Sequence, residues 1–308
     1  MTCAYITHPA CRRHEMGEGH PECPERLDAI SDHLLSTGVM GLLVPYDAPE
    51  ATREQLGRAH ASLYVSEIFA ASPARGHVQI DPDTSMNPAT LQAALHAAGA
   101  VVLATDLVVA GEVDRAFCAV RPPGHHASRS AAMGFCFFNN VAVGIRHALD
   151  VHGLQRVALV DFDVHHGNGS EDILAGDDRV LMVSTFQRDI YPYLGDIPLG
   201  PNMVNVGLPA GATGEALQEA FEYAWKPRLD EFRPELIFVS AGFDGHRADE
   251  MGGLRWVEED YAWITRRIGE VADRHCRGRV ISALEGGYEL FALARSVAAH
   301  VRALALAA

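Results

Sequence analysis

The sequence of 308 residues lacks several features that mark particular classes of protein. It has only six cysteines, with neither the density nor the pairing of a secreted disulfide scaffold, so we expect reduced and mostly buried thiols. Basic residues are scarce, since 25 Lys and Arg stand against 40 Asp and Glu for a formal net charge of −15. Because phosphate neutralisation needs clustered basic side chains, this composition argues against direct nucleic-acid binding. The negative charge would suit a cationic partner, although solubility is the simpler explanation.

Long hydrophobic runs, internal repeats and Gly-, Ser- or Pro-rich linkers are absent as well. The most apolar stretch, Ala97–Ala110, is short and contains Asp106, and the N-terminal segment has no apolar core of a secretory signal. A hydrophobic content of 48% with 21% charged residues is typical of a globular chain. We therefore expect one soluble, cytoplasmic domain over residues 1–308 with no membrane-spanning segment. The sequence leaves the oligomeric state open, including a homo-oligomer.

What the sequence does contain is an alternation of short buried strands and longer helices. Five apolar runs rich in Val, Ile, Leu and Phe predict strands buried on both faces: Ala116–Val120, Val157–Val160, Val180–Val183, Leu236–Val239 and Val280–Leu284. Helical spacing predicts five helices: Ala89–Ala110, Asn139–Val151, Glu215–Glu231, Glu258–Cys276 and Leu290–Leu306. Such alternation is typical of an α/β fold with a mostly parallel central sheet and helices on both faces.

A cluster of polar residues follows each of the five predicted strands. The clusters are Arg121–His126, Asp161–Gly167, Ser184-Thr185, Ala241–Asp244 and Glu285–Tyr288. In open parallel sheets, ligands bind at the carboxyl ends of the strands. The five clusters therefore predict one shared active site.

The second of these clusters has the pattern of a metal site. Alternate residues of an extended chain point the same way, so Asp161, Asp163 and His165 are expected to project to one side. A carboxylate and an imidazole two residues apart, joined by Asp244, supply three ligands and leave a coordination position for water or substrate. Zn²⁺ suits this mixed set, although Fe²⁺, Co²⁺ or Mn²⁺ use the same ligands. The alternative is that the aspartates cap a turn and His165 is an ordinary loop histidine.

Two adjacent histidines, His125 and His126, follow a rigid Pro-Pro-Gly turn. Imidazole titrates near neutrality, so it can take a proton from water and deliver one to a leaving amine. Asp161 and Asn168 are candidate acceptors that would orient the two rings, one with a carboxylate and the other with an amide. Tyr288 follows two glycines and would donate its hydroxyl to an oxyanion; the alternative for an isolated tyrosine is core packing.

Longer motifs extend these clusters. In order, they are Gly19–Pro21, Asp81–Thr84, Arg121–Ala127, Gly134–Asn140, Asp161–Gly169, Ala241–Asp244 and Glu285–Tyr288. Together they resemble the zinc-dependent histone deacetylase family, within the arginase/deacetylase superfamily, and especially its class II-like and bacterial amidohydrolase branch. The resemblance covers essentially the whole chain, and its motifs are far more specific than a lone His-x-His pattern.

The resemblance implies the arginase/deacetylase fold and a role for each matching residue. One Zn²⁺ would be bound by Asp163, His165 and Asp244. The general acid/base pair would be His125 and His126, and Tyr288 would hold the oxyanion. A structural K⁺ would be bound by Asp161 and Ser184. One wall of a narrow acyl-lysine tunnel would consist of Gly134 and Phe135, with Tyr191, or else Tyr193, opposite.

Four further positions concern the entrance and the choice of substrate. Asn168 stands where class I members have Asp, which leaves His126 with a neutral partner, as is usual in the class II-like branch. Met251 aligns with a Glu of polyamine-preferring relatives, which weakens the case for a polyamine substrate. Asp83 is expected to anchor substrate backbone at the rim, although its Asp-Pro-Asp-Thr context is also typical of an ordinary turn. His20 is a candidate to line the entrance.

We therefore expect a zinc-dependent amidohydrolase that removes acetyl groups from Nε-acetyl-lysine in proteins or peptides through a metal-activated water. An acetylpolyamine or another small acetylated amine is the alternative substrate, because all of these share the scissile amide. An arginase-like ureohydrolase would share the fold but needs further metal ligands, and the histidine pair and Tyr288 argue against it. A non-catalytic module that binds acyl-lysine or metal is the alternative of another class.

Overall fold

The structure, a computed structural model, describes residues 2–306 and is built on a parallel β-sheet. The described strands are β1 (Cys3–Thr7), β2 (Leu43–Asp47), β3 (Val78–Asp81), β4 (Thr84–Met86), β5 (Arg115–Cys118), β6 (Val157–Asp161), β7 (Val180–Gln187), β8 (Met203–Leu208), β9 (Leu236–Ala241) and β10 (Val280–Leu284). The main sheet has eight strands in the order β2-β1-β5-β10-β9-β6-β7-β8. Every neighbouring pair in it is parallel, whereas β3 and β4 form an antiparallel ribbon.

Helices flank the main sheet. They are α1 (Glu25–Ser36), α2 (Arg53–Ala59), α3 (Ser62–Ala71), α4 (Thr90–Ala110), α5 (Asn140–Asp150), α6 (Asn168–Leu174), α7 (Gly214–Glu219), α8 (Lys226–Phe232), α9 (Glu258–His275) and α10 (Leu290–Leu306). Helix α4 packs with α5, while α1 and α9 pack with α10. One hydrophobic core runs between these helices and the sheet. The prediction of an α/β fold with a parallel central sheet is confirmed.

The five predicted strands lie side by side in the sheet, as β5-β10-β9-β6-β7. Their bounds agree with the prediction to within a few residues, and β10 agrees at both ends. Strand β7 is the exception that matters for the site, because Ser184 and Thr185, predicted to follow it, lie inside it. The strand continues to Gln187 because β8 pairs with it from Met182 onward.

The predicted helices are present, with one interruption. The segment expected as a single helix, Glu215–Glu231, consists of α7, a π-helical turn at Ala220–Trp225 and α8. Strands β1, β2, β3, β4 and β8 were not predicted. Strand β2 contains Pro45 and has exposed residues, and β8 contains Asn205 and Gly207, so neither forms a continuous apolar run.

Helix α4 is long and apolar enough to cross a membrane by length and composition alone. However, 78% of its most apolar window is buried inside the fold, where it contacts α5, β1, β5 and β10. This is the environment of a core helix. All six cysteines are free, and five of them are buried, as expected for reduced thiols in a folded core.

Candidate active site

The site lies at one edge of the sheet, where the central parallel strands end. Strands β6 and β9 are neighbours and end at Asp161 and Ala241. The loop after β6 supplies Asp163 and His165, and the loop after β9 supplies Asp244. The clusters after β5 and β10 join them, because neighbouring parallel strands end at the same edge.

Asp163, His165 and Asp244 form a candidate metal-binding group. One ligand atom from each lies within 4.8 Å of the other two, and all three residues are buried. Oδ2 of Asp244 has no hydrogen-bond donor among the described residues, although Nδ1 of His165 lies 3.1 Å away. A buried carboxylate oxygen without a donor is unfavourable unless a cation compensates it. Two carboxylates and an imidazole therefore fit a divalent ion such as Zn²⁺ with an open coordination position.

Backbone N–H groups hold these carboxylates in place. Val164 N–H donates to Oδ1 of Asp244 over 3.0 Å, and Gly286 N–H donates to Oδ2 of Asp163 over 2.8 Å. The chain at Gly286 approaches so closely that a Cβ atom there would stand 2.1 Å from Oδ2 of Asp244. Glycine is required at this position, since any side chain would displace a candidate ligand.

Anionic charge is concentrated in this group. Burial, followed by the charge of Asp163, raises the pKa of Asp244 to about 6. Burial acts to lower the pKa of His165, but hydrogen bonds and charges from Asp163 and Asp244 outweigh it and raise that pKa to about 10. A bound cation would relieve this crowding of carboxylates around one imidazole.

His125 and His126 lie beside the metal-binding group, with ring centroids 4.0 Å apart. Nδ1 of His125 is 3.1 Å from Oδ2 of Asp161, and Nδ1 of His126 is 2.7 Å from Oδ1 of Asn168. One ring therefore has a carboxylate partner and the other has an amide. Nε2 of His125 lies 3.8 Å from Oδ2 of Asp163, at the floor of the site.

These surroundings give the two rings different pKa values. Burial acts to lower the pKa of His125, but the charges of Asp163 and Asp161 outweigh it and raise the pKa to about 10. Burial also lowers the pKa of His126, and the neighbouring His125 and His165 lower it further, well below 6.5. His126 is therefore suited to accept a proton, while His125 is readily protonated.

A cavity of about 220 Å³ opens above these residues. Its lining consists of Asp83, His126, Gly134, Phe135, His165, Tyr191, Met251 and Tyr288. The rings of Phe135 and Tyr288 meet edge to face with centroids 5.9 Å apart, and Tyr191 meets His126 in the same way at 5.1 Å. A narrow, aromatic-walled cavity of this kind suits a linear apolar group.

The wall formed by Gly134 and Phe135 is a tight turn in which both residues have positive φ, 57° and 68°. Their N–H groups donate to Oδ1 of Asp83 and Oγ1 of Thr84, each over 3.0 Å. A Cβ atom at Gly134 would stand 2.4 Å from Cδ2 of His126. The turn therefore brings backbone directly against the His126 ring, and Asp83 supports that wall as well as lining the cavity.

Tyr288 is half-buried and also lines the cavity. The backbone N–H of Tyr288 donates a hydrogen bond to Oδ2 of Asp249 over 2.6 Å. The guanidinium of Arg26 lies 4.9 Å from the centroid of its ring, and Nε of Arg26 donates to the Gly287 carbonyl over 2.6 Å. Burial raises the pKa of the phenol well above 10, so the hydroxyl stays protonated and available as a donor.

Sequence reasoning did not assign roles to Asp249, Arg26 or Glu285. Glu285 is buried, and its Oε2 accepts hydrogen bonds from the N–H groups of Gly124 and His125 over 2.7 and 3.1 Å. Burial raises its pKa to about 7. The position of Glu285 in the Glu-Gly-Gly-Tyr motif could have identified it as a site residue. Arg26 and Asp249 contact residues far from them in the sequence, and no local sequence pattern indicates such contacts.

The two tyrosines proposed for the tunnel wall differ in position. Tyr191 lines the cavity, whereas Tyr193 is 77% exposed. Met251 also lines the cavity, and its N–H donates to Oδ1 of Asp249 over 3.0 Å. The ring of His20 meets Phe135 edge to face, with centroids 4.8 Å apart.

Asp161 and Ser184, predicted to bind a monovalent cation, are direct neighbours in the register of β6 and β7. Both are buried. Oδ1 of Asp161 accepts from Asp163 N–H over 3.1 Å, and Oγ of Ser184 donates to Oδ1 of Asn205 over 3.3 Å. Binding of K⁺ there stays a prediction.

Comparison with known proteins agrees with this geometry. Residues 20–304 match the histone deacetylase domain. The chain is 36% identical to type-2 histone deacetylase 2 of Dictyostelium discoideum over 97% of its own length, but spans only 20% of that protein. It is 37% identical to the histone deacetylase-like amidohydrolase of Pseudomonas aeruginosa, with 88% of this chain and 73% of that protein covered. It is also 37% identical to the mouse polyamine deacetylase HDAC10, with 92% of this chain and 44% of that protein covered.

A solved structure shows the same architecture. The crystal structure of the HDA15 HD domain superposes with a TM-score of 0.92 and 31% sequence identity, covering 99% of this chain and 88% of the other. The domain match and these relatives, together with the fold, show that the chain belongs to the histone deacetylase family of hydrolases.

Proposed function

We propose that this protein is a zinc-dependent deacetylase that hydrolyses Nε-acetyl-lysine in proteins or peptides, with residues 1–308 acting as one catalytic domain. The observation that carries the proposal is the cavity of about 220 Å³, whose aromatic walls lead to His126 and His165 beside two buried carboxylates. A linear acyl-lysine side chain would place its amide at these groups, and its methylene stem against Phe135 and Tyr191.

Asp163, His165 and Asp244 would hold the metal. A bound Zn²⁺ would supply Lewis-acid polarisation of the amide carbonyl and lower the pKa of a water molecule to about 7. Gly286 N–H and Val164 N–H keep the two carboxylates oriented, so the ligand set is organised before the metal arrives.

The histidine pair would transfer the protons of the reaction. His126 lines the cavity and has its Nδ1 engaged by Asn168, so Nε2 is the nitrogen placed to take a proton from the attacking water. The same ring would then return a proton to the leaving amine. His125 would stay oriented by Asp161 and provide positive charge beneath the reacting groups.

Tyr288 would donate a hydrogen bond to the oxygen that becomes negatively charged. Its high pKa keeps the proton on the phenol, and Asp249 and Arg26 fix the backbone that carries the ring. Donors held in advance stabilise the transition state without reorganisation during the reaction.

An acetylpolyamine or another small acetylated amine is the second candidate substrate, favoured by the similarity to a mouse polyamine deacetylase. Asp83 gives the cavity lining one carboxylate, whereas position 251 is Met. A non-catalytic acyl-lysine-binding module is the candidate of another class. It is disfavoured because no member of the proposed catalytic set is replaced.

The first experiment is to measure acetate release by the zinc-loaded protein from acetyl-lysine peptides and from acetylpolyamines, with a chelator-treated control. Chelator-sensitive release from peptides is expected. Preference for polyamines would replace the proposed substrate with the second candidate. No release from any substrate by metal-loaded protein would favour the binding module.

A further inference from the structure

Two histidines and an aspartate converge at the ends of α4 and α5, away from the active site. Oδ1 of Asp106, near the end of α4, lies 2.8 Å from Nε2 of His147 in α5 and 2.7 Å from Nε2 of His152 in the loop that follows. One ligand atom from each residue lies within 4.8 Å of the other two. The three side chains come from separate segments yet point at one position.

The two rings are poorly explained as solvent-exposed histidines. Their planes are 80° apart and their centroids are 5.2 Å apart, so they approach the same carboxylate oxygen from different directions. The His147 side chain is 7% exposed, His152 is 23% exposed and Asp106 is 49% exposed. The cluster is thus anchored on its inner side and open to water on its outer side.

The electrostatic field of the two helix ends favours a cation at this position. Helix α4 has no basic residue in its last turn, and His147 is the basic residue of the last turn of α5. The carboxyl end of a helix carries partial negative charge, so Asp106 adds an anion where two helices already end. A cation between Asp106 and the two imidazoles would offset this charge.

We propose that Asp106, His147 and His152 form a second divalent metal site, with Zn²⁺ as the best-suited ion. Two imidazole nitrogens and one carboxylate oxygen are a common zinc ligand set, and the exposed side leaves a fourth position for water. Metal–ligand bonds of about 2.0–2.2 Å in tetrahedral geometry separate ligand atoms by about 3.3 Å, so the distances of 2.8 and 2.7 Å from Oδ1 of Asp106 to the two Nε2 atoms would widen by about 0.5 Å. The ion would clamp the ends of α4 and α5 and the loop after them.

Arg58 opposes this site. Its Nη1 lies 3.2 Å from Nδ1 of His147, and because a guanidinium only donates, this contact places a proton on Nε2, the atom that would bind metal. Metal binding requires the proton to move to Nδ1 and the Arg58 contact to break. Arg58 has an alternative partner in Glu54, whose Oε1 lies 2.8 Å from its Nη2. Removing Arg58 should therefore tighten metal binding rather than weaken it.

The test counts bound zinc by native mass spectrometry after titration of metal-depleted protein with Zn²⁺. Wild-type protein is expected to bind one equivalent more than His152→Ala and Asp106→Asn, both of which alter partly exposed groups. Arg58→Met is expected to fill this site at lower Zn²⁺ concentration. His77→Ala is the matched control, because Nε2 of the partly exposed His77 also lies 2.8 Å from a carboxylate oxygen, that of Glu15, while residues 2–306 offer no third ligand there.

Thermal unfolding supplies a second readout that does not depend on catalysis. Excess Zn²⁺ should raise the Tm of the wild type and of Asp244→Asn, whose altered residue belongs to the active site, but raise that of His152→Ala less. Equal zinc content in wild type and His152→Ala would overturn the proposal. So would an equal loss in His77→Ala, which would indicate adventitious surface binding, or weaker binding in Arg58→Met.

Discussion

Oδ1 of Asn168 lies 2.7 Å from Nδ1 of His126, which gives the cavity-lining histidine a neutral partner. Burial and the neighbouring histidines already hold the pKa of His126 well below 6.5, and an amide does little to oppose them. The partner histidine, His125, instead faces the carboxylate of Asp161. Burial and the neighbouring histidines therefore keep His126 unprotonated at neutral pH, and the neutral partner Asn168 leaves that difference from His125 in place.

The first prediction concerns Asn168→Asp. A carboxylate at this distance should raise the pKa of His126, because it favours the imidazolium. The acid limb of the kcat/KM–pH profile should then move to higher pH, with reduced activity below neutrality. An unchanged limb would show that His126 is not the base whose protonation limits turnover.

The second prediction concerns Tyr288→Phe. Loss of the phenolic donor should lower kcat by about 10²–10³, since that is the usual cost of removing one oxyanion donor. Zinc content and Tm should stay near wild type, because the backbone of residue 288 is held by Asp249 and the ring remains. Turnover at the wild-type rate would remove Tyr288 from the mechanism.

The third prediction uses two glycines with similar backbone conformations. In Gly134→Ala the new methyl would stand 2.4 Å from the His126 ring and displace it, at a cost of about 10² in turnover. Gly153 has a φ of 71°, but an added Cβ would meet no atom of the described part of the chain within 4 Å, so Gly153→Ala tests the backbone strain alone. Steady-state kinetics should show loss only in the first variant; equal loss in both would assign the effect to strain.

The fourth prediction concerns the substrate. Met251→Glu places a carboxylate at the cavity rim, where it would face the free amines of a polyamine. The ratio of kcat/KM for acetylspermidine to that for an acetyl-lysine peptide should rise about two- to fivefold, the range of an exposed ion pair. Met251→Gln is the uncharged control, and a similar rise in that variant would argue against an electrostatic origin.

The fifth prediction concerns stability at acid pH. Nδ1 of His60 lies 2.9 Å from the Ser128 carbonyl, and its Nε2 accepts from Asn139 N–H over 2.9 Å, so the ring is held neutral. Burial lowers its pKa from 6.5 to about 4. The unfolded chain therefore binds more protons between pH 6.5 and 4, and stability falls as the pH drops through this range, by about 3 kcal/mol in total.

Urea unfolding of wild type and His60→Asn across this range would measure that contribution. The variant should be less stable at pH 7, with a shallower decline toward pH 4. Parallel curves for the two proteins would show that His60 does not titrate on unfolding.

The sequence by itself determined the five central strands of the sheet and the cluster of residues that follows them. The five predicted strands are the ones buried in the middle of the sheet, where apolar residues must occupy both faces and leave a continuous pattern. Because parallel strands end at a common edge, the clusters after them already implied that Asp163, His165, Asp244 and the histidine pair would meet. Strands β2 and β8 were missed because they lie at the two margins of the sheet and are interrupted by Pro, Asn or Gly, and the short β3 and β4 form a separate ribbon. Strand β1 is buried and was missed although none of these residues interrupts it.

Only the tertiary structure decided which groups support that centre and what lies away from it. Asp249 and Arg26 reach Tyr288 from other segments, and Tyr191 rather than Tyr193 lines the cavity. Ser184 lies within a strand because it pairs with both β6 and β8. The cluster of Asp106, His147 and His152 likewise exists only where two helix ends meet. Side-chain contacts between distant segments depend on packing, which local periodicity does not encode.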